Sequence, residues 1–105
     1  MRDTLTLTAP LTRWQGDHGT YHLVVITDEA AGKIALHARL HRLEFGKQRG
    51  FGSVKVMARI GGTGWNSSVF PQLRQSEWVL LVSKKVMRAE DLSAGDLVAV
   101  ELDLI

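Results

Sequence analysis

Apolar and polar residues that alternate with period two mark a strand with one face buried, and this chain alternates over much of its length. Leu5, Leu7 and Ala9 share one face near the start. Tyr21-His22-Leu23-Val24-Val25-Ile26 follows the polar stretch Gln15-Gly16-Asp17-His18-Gly19, so the pattern predicts two strands joined by a glycine-bearing loop. From Asp28 the composition changes to Ala, Lys, Leu and Glu. Ala30, Ile34, Leu36, Leu40 and Leu43 then stand at mixed helical spacings, and Asp28 stands where an N-cap accepts backbone donors, which predicts a helix over 28–41. Gly32 costs such a helix about 1 kcal/mol relative to Ala.

The clearest strand follows Phe51, with Val54, Val56, Ala58 and Ile60 on one face. Gly61-Gly62-Thr63-Gly64 supplies a tight turn and the chain returns until Pro71 stops it, giving a hairpin over 51–70. Glu77-Trp78-Val79-Leu80-Leu81-Val82 is a continuous run of the kind expected for a strand buried on both faces. Ser83 reads as the N-cap of a second helix over 83–92, ended by Ala94-Gly95-Asp96. Val98, Val100, Leu102 and Leu104 form the inner face of a last strand. Six strands and two helices predict a mainly β protein: a mostly antiparallel barrel or curled sheet with helices plugging its ends.

Composition narrows the classes of function. The 105 residues, 45% hydrophobic and 23% charged, fit one soluble domain over 1–105. There are no cysteines, which excludes disulfides, thiolate metal sites and cysteine nucleophiles. The longest apolar run, Val79-Leu80-Leu81-Val82, is far short of the roughly 20 residues that cross a bilayer, so no membrane partner is expected. Met1-Arg2-Asp3-Thr4-Leu5 alternates instead of opening an apolar run, so a cytoplasmic protein is expected. Thirteen Lys and Arg against eleven Asp and Glu leave a charge of only +2, which announces no polyanion.

Arg49-Gly50-Phe51-Gly52-Ser53-Val54-Lys55-Val56, Ile60-Gly61-Gly62-Thr63, Trp65, Ser67-Ser68-Val69-Phe70-Pro71 and Gly95-Asp96 together resemble the bacterial domain-of-unknown-function family nineteen-oh-five. The likeness extends more weakly over nearly the whole chain, including Trp14 and the Gly16-Asp17 turn. It implies a small six-stranded antiparallel, double-split β-barrel with two short helices, similar in outline to the swapped-hairpin barrels of some transition-state regulators and antitoxins. In larger relatives the barrel precedes a domain named for bacteriocin protection or for association with an outer-membrane porin. Neither attachment is expected in this chain. The resemblance implies no activity, and one departure matters. Where the family often has a Leu-Pro-Val step and then an arginine, this chain has Leu80-Leu81-Val82 and Met87, with Arg88 one position on. On a helix that one-residue shift turns the side chain by about 100°.

Each candidate constellation has a structural reading beside the functional one. His37 and His41 stand four apart on a helix, a spacing that can share a zinc ion, but position 38 is Ala where a metalloprotease box needs Glu. His18 and His22 are the other possible ligands, and exposed polar residues are the plainer reading of all four. Gly61-Gly62-Thr63-Gly64 lacks the Lys and Ser/Thr of a phosphate loop and reads as a hairpin turn. Ser67 and Ser68 lie in no nucleophile elbow and read as strand hydroxyls. Trp14, Phe51, Trp65, Phe70 and Trp78 read chiefly as core plugs, although Phe51 and Trp65 beside a basic loop could wall a pocket for a planar or anionic ligand. The cations fall into one group of Lys33, Arg39, Arg42, Lys47 and Arg49 and another of Lys84, Lys85 and Arg88. If these converged they would make a phosphate-tracking stripe.

No set of residues converges on catalysis, and no cofactor or metal is implied. The leading reading is therefore a non-catalytic binding module, monomeric or homodimeric. Its barrel rim near Arg49, Phe51, Trp65, Ser67, Ser68, Lys84 and Lys85 would receive a small anionic ligand or a protein partner. A nucleic-acid-binding barrel is the first alternative, and a hydrolase or metal enzyme using the histidines is the second.

Overall fold

The computed structural model describes residues 3–45, 52–72 and 77–105. In chain order these form β1 (Asp3–Gly16), β2 (Gly19–Ile26), α1 (Asp28–Phe45), β3 (Val54–Ile60), β4 (Thr63–Pro71), β5 (Trp78–Val82), α2 (Lys84–Ala89) and β6 (Leu97–Leu104). The strands close an antiparallel barrel in the order β1-β2-β5-β4-β3-β6. Closure removes exposed sheet edges, and the inward rows of the strands fill the interior. Leu5, Val24, Ile26, Val56, Leu80 and Leu102 belong to that aliphatic core. Among the described residues no helix is long and apolar enough to cross a membrane.

Two strands change partners along their length, which makes the barrel double-split. β1 pairs with β6 from Asp3 to Pro10 and with β2 from Leu11 to Gly16. The change falls at Pro10, which has no N–H to give to a ladder. Leu11 anchors the crossing, its N–H donating to the Asp96 carbonyl at 2.8 Å and its own carbonyl accepting from Gly95 N–H at 2.7 Å. β4 pairs with β3 from Thr63 to Val69 but meets β5 only through Val69, Phe70 and Pro71. From Thr63 to Ser68 its other edge therefore diverges from β5.

The registers also define the two ends of the barrel. Asp3, Leu104, Val56, Pro71, Trp78 and Ile26 lie toward one end, where the His37 ring meets Ile105 and so places α1. Leu97, Ile60, Thr63, Val82 and His22 lie toward the other, where Thr63 hydrogen-bonds Glu90 just after α2. Each helix inserts apolar side chains, Ala31 and Ile34 from α1 and Val86 from α2. The short helix is capped as its sequence predicts, with Ser83 Oγ accepting from Val86 N–H at 3.3 Å.

Several expectations change in detail. α1 runs to Phe45, about one turn past 41, and Asp28 is its first residue instead of its cap. Asp28 has φ +56°, a left-handed conformation that Asp tolerates better than most residues. Leu36, Leu40 and Leu43 are exposed. At 100° per residue they fall opposite Ala31, Ile34 and Ala38, which face the core. β5 is not buried on both faces throughout, since Leu81 is 40% exposed where β4 has already diverged. The expectation of aromatic core plugs holds for Trp78, which is buried, and for Trp65, which packs against the core, but not for Trp14 and Phe70, which are exposed, while Phe51 lies outside the described residues. Trp14 faces outward opposite Tyr21, with ring centroids 5.8 Å apart.

Candidate functional site

The divergence of β4 from β5 opens a slot through the barrel wall. On β4, Thr63, Trp65, Ser67 and Val69 occupy the inward row, opposite Ile60, Ala58, Val56 and Val54 of β3. On β2, His22 pairs opposite Val82 and Val24 opposite Leu80, so Thr20 and His22 continue the inward row that Val24 and Ile26 begin. Both rows turn from apolar to polar toward the α2 end. They meet in an open cleft of about 470 Å³ lined by Thr20, His22, Trp65, Ser67 and Lys84, with Leu81 at its lip. Lys84 reaches the cleft because α2 begins directly after β5, with the single residue Ser83 between them.

A second depression of about 290 Å³ shares His22 and Lys84 with the slot and adds Arg88, Met87, Leu92 and one carboxylate, Asp91. Met87 packs against the core while Arg88 stays on the surface. The cation therefore stands beside the slot, one helical step from where the family pattern would place it. Arg13 sits directly across the ladder from His22. Among the described residues neither Lys84 nor Arg88 is paired with a carboxylate, and the hydroxyls of Thr20 and Ser67 have no intramolecular partner. The slot thus presents an aromatic wall, two unsatisfied hydroxyls, an imidazole and cations at its rim. Such a set can hydrogen-bond and neutralise a small anion while a flat group lies along Trp65.

The structure divides the residues singled out from sequence. Trp65, Ser67 and Lys84 come together in the slot. Ser68 points to the other face of β4, opposite Lys55, and Lys85 is exposed on α2 outside the slot lining. Arg49 and Phe51, like Lys47, lie outside the described residues. Thr20 and His22 escaped the sequence reading as slot residues. Their signal was a strand whose inward row begins polar and ends apolar, matched by the same gradient on β4.

The histidines do not assemble a metal centre, and among the described residues no three His, Asp or Glu side chains group to hold an ion. His18 lines an outer-face groove with Trp14 and Tyr21, whereas His22 lies in the slot. Ser67 and His22 share the slot without a hydrogen bond between them, and no carboxylate is hydrogen-bonded to the imidazole to orient it. His37 donates from Nε2 to the Ile105 carbonyl at 3.4 Å at the α1 end, where it lines a separate cleft with Arg39, His41, Arg42 and Lys55. The described members of the two basic groups that line clefts, Arg39 and Arg42 of α1 and Lys84 and Arg88 of α2, therefore lie at opposite ends of the barrel. Among the described residues they form no continuous stripe.

No curated protein matches the chain at a significant level. The family model described as a domain of unknown function, DUF1905, matches residues 8–102, which run from the first half of β1 to the inner row of β6 and include both splits of the barrel. With that span of the 105 residues matched, the chain belongs to the DUF1905 family.

Proposed function

We propose that this barrel is a non-catalytic binding module whose slot between β4 and β5 takes a small planar anion. The observation that carries the reading is the convergence of Trp65, Ser67, Lys84, Thr20 and His22, from three separate elements, on one opening of the barrel wall. Two hydroxyls without partners and a lysine without a carboxylate are groups that a ligand can satisfy at little cost in broken contacts. Trp65 offers a face for a conjugated body. The separation of the α1 and α2 cations favours a compact ligand over a nucleic-acid strand, whose phosphates call for a continuous row of positive charge.

Benzoate is a suitable probe, being planar and singly charged. In a titration followed by amide and indole NMR, the Trp65 indole and the Ser67 and Lys84 amides shift together and saturate. Lys84→Gln, which removes one charge-assisted hydrogen bond worth about 1.5 kcal/mol, weakens binding about tenfold. Trp65→Leu weakens it by a smaller factor, about fivefold, from the loss of about 1 kcal/mol of ring contact. Shifts that never saturate, or that Lys84→Gln leaves unchanged, would refute the slot as the binding site.

A further inference from the structure

We infer that the groove on the outer face of β1, β2 and β5 is a second binding site for a small organic cation of the quaternary ammonium class. The outer rows of the barrel differ from one side to the other. Along β1, β6 and β3 they carry Thr4, Thr6, Glu101, Asp103, Lys55 and Arg59, a polar wall of the kind that water solvates. On β2 and β5 they carry Tyr21, Leu23, Val25, Val79 and Leu81, on the face opposite the core-facing Val24, Ile26, Leu80 and Val82. Trp14 continues this apolar face on β1, across the ladder from Tyr21. These residues line a groove of about 830 Å³, within the size range of small-molecule sites.

The turn end of the groove selects the charge. Trp14 is 54% exposed and Tyr21 38%, and their rings stand 5.8 Å apart at 31°, so they form an open aromatic corner. Gly16 makes room for that corner, because a Cβ there would collide with the six-membered ring of Trp14. The turn that follows brings Asp17 into the same groove. Among the described residues that line it, Asp17 is the one carboxylate and there is no lysine or arginine. No hydrogen bond or ion pair engages Asp17, and His18 lines the groove without bonding to it. Aromatic faces attract a cation, and a nearby carboxylate adds to the attraction. A primary ammonium carries three N–H donors that must find acceptors. A methylated one presents its charge on apolar surface, which walls of Leu23, Val25, Val79 and Leu81 favour. A cross-strand Trp–Tyr pair also stabilises its own hairpin, but that role accounts neither for the apolar rows beyond it nor for the unpaired carboxylate. Tyr21 and Leu81 border the slot as well, where the charged lining group is Lys84, so the two neighbouring openings carry opposite charge.

Choline tests the inference against its uncharged isostere, in which a tert-butyl group replaces the trimethylammonium, each titrated into the isotopically labelled full chain. Choline is expected to shift the Trp14 indole and the Asp17 and Leu23 amides saturably and to bind about fivefold more tightly than the isostere. Benzyltrimethylammonium, with a larger apolar body, binds more tightly than choline. Asp17→Asn weakens choline about threefold. Gly16→Ala, which displaces the Trp14 ring and leaves every charge in place, weakens it as well. Asp17 is exposed and bonds to nothing, so Asp17→Asn retains the fold. Lys84→Gln does not weaken choline and Asp17→Asn does not weaken benzoate, so failure of this site is distinguishable from failure of the slot. An isostere that binds as tightly as choline, an affinity indifferent to Asp17→Asn, or shifts confined to Ser67 and Lys84 would overturn the inference. So would Trp14 signals that change with protein concentration because a second copy of the chain covers the groove.

Discussion

The two ends of the barrel are closed by helices of unequal build. At one end the 18-residue α1 lays Ala31 and Ile34 into the core and roofs a small cleft with basic side chains. At the other the six-residue α2 contributes Val86 and is held by its cap and by the Thr63–Glu90 hydrogen bond at 2.6 Å. A long helix buries two apolar residues and covers its end. The short one covers only part of the β4–β5 divergence and leaves a slot beside it. Openness in this fold is therefore set by where β4 leaves β5 and by how little helix is available to cover the gap.

Truncating each helix at its core residue gives the largest expected effects. Ile34→Ala removes a fully buried side chain and is expected to cost about 3–4 kcal/mol in urea unfolding, whereas Val86→Ala is expected to cost about 2 kcal/mol. Equal losses would mean that the helices seal their ends alike. Glu90→Ala is the next largest change. It leaves the half-buried Thr63 hydroxyl without its acceptor and empties the space beside Gly61, where a Cβ would meet the Glu90 carboxylate. A loss of about 1.5 kcal/mol is expected, read as a lowered Tm, together with altered amide shifts at Trp65 and Ser67 as the slot loosens. A lowered Tm with no change at the slot would separate the tether from the site.

Ser83→Ala should cost about 1 kcal/mol by removing the α2 cap, with Ser83→Asp restoring most of it. The smallest effect is expected at Lys33, whose pairing with Glu29 on α1 is exposed on both sides. Lys33→Met should change stability by no more than about 0.5 kcal/mol, measured in the same unfolding experiment. A larger loss would show that α1 depends on its surface charges as well as on its buried face.

The strand pattern was legible because alternation states directly which residues face inward. Val54, Val56, Ala58 and Ile60 are all buried as that pattern requires, and so are Val98, Val100, Leu102 and Leu104. Ser83 announced its helix through cap chemistry that is local in sequence. What alternation does not encode is partnership between distant strands. The divergence of β4 from β5 rests on which residues Val69, Phe70 and Pro71 meet across the barrel, so the slot could not be placed from the chain alone. The same gap hid the role of His22, brought beside Ser67 only by the closed sheet. It also hid the fate of the basic residues, whose sequence neighbourhoods say nothing about which end each helix plugs. The exposure of Trp14 was hidden because an aromatic residue in an alternating strand reads as core until its register is known.

The central claim is that the slot itself holds the anion, and contact between ligand and side chain tests it most directly. In a sample saturated with benzoate, the account predicts intermolecular nuclear Overhauser effects from the ligand ring protons to the Trp65 indole and the Lys84 methylenes. Effects running instead to Trp14 and His18 on the outer face, or none from a ligand shown to be bound, would contradict it.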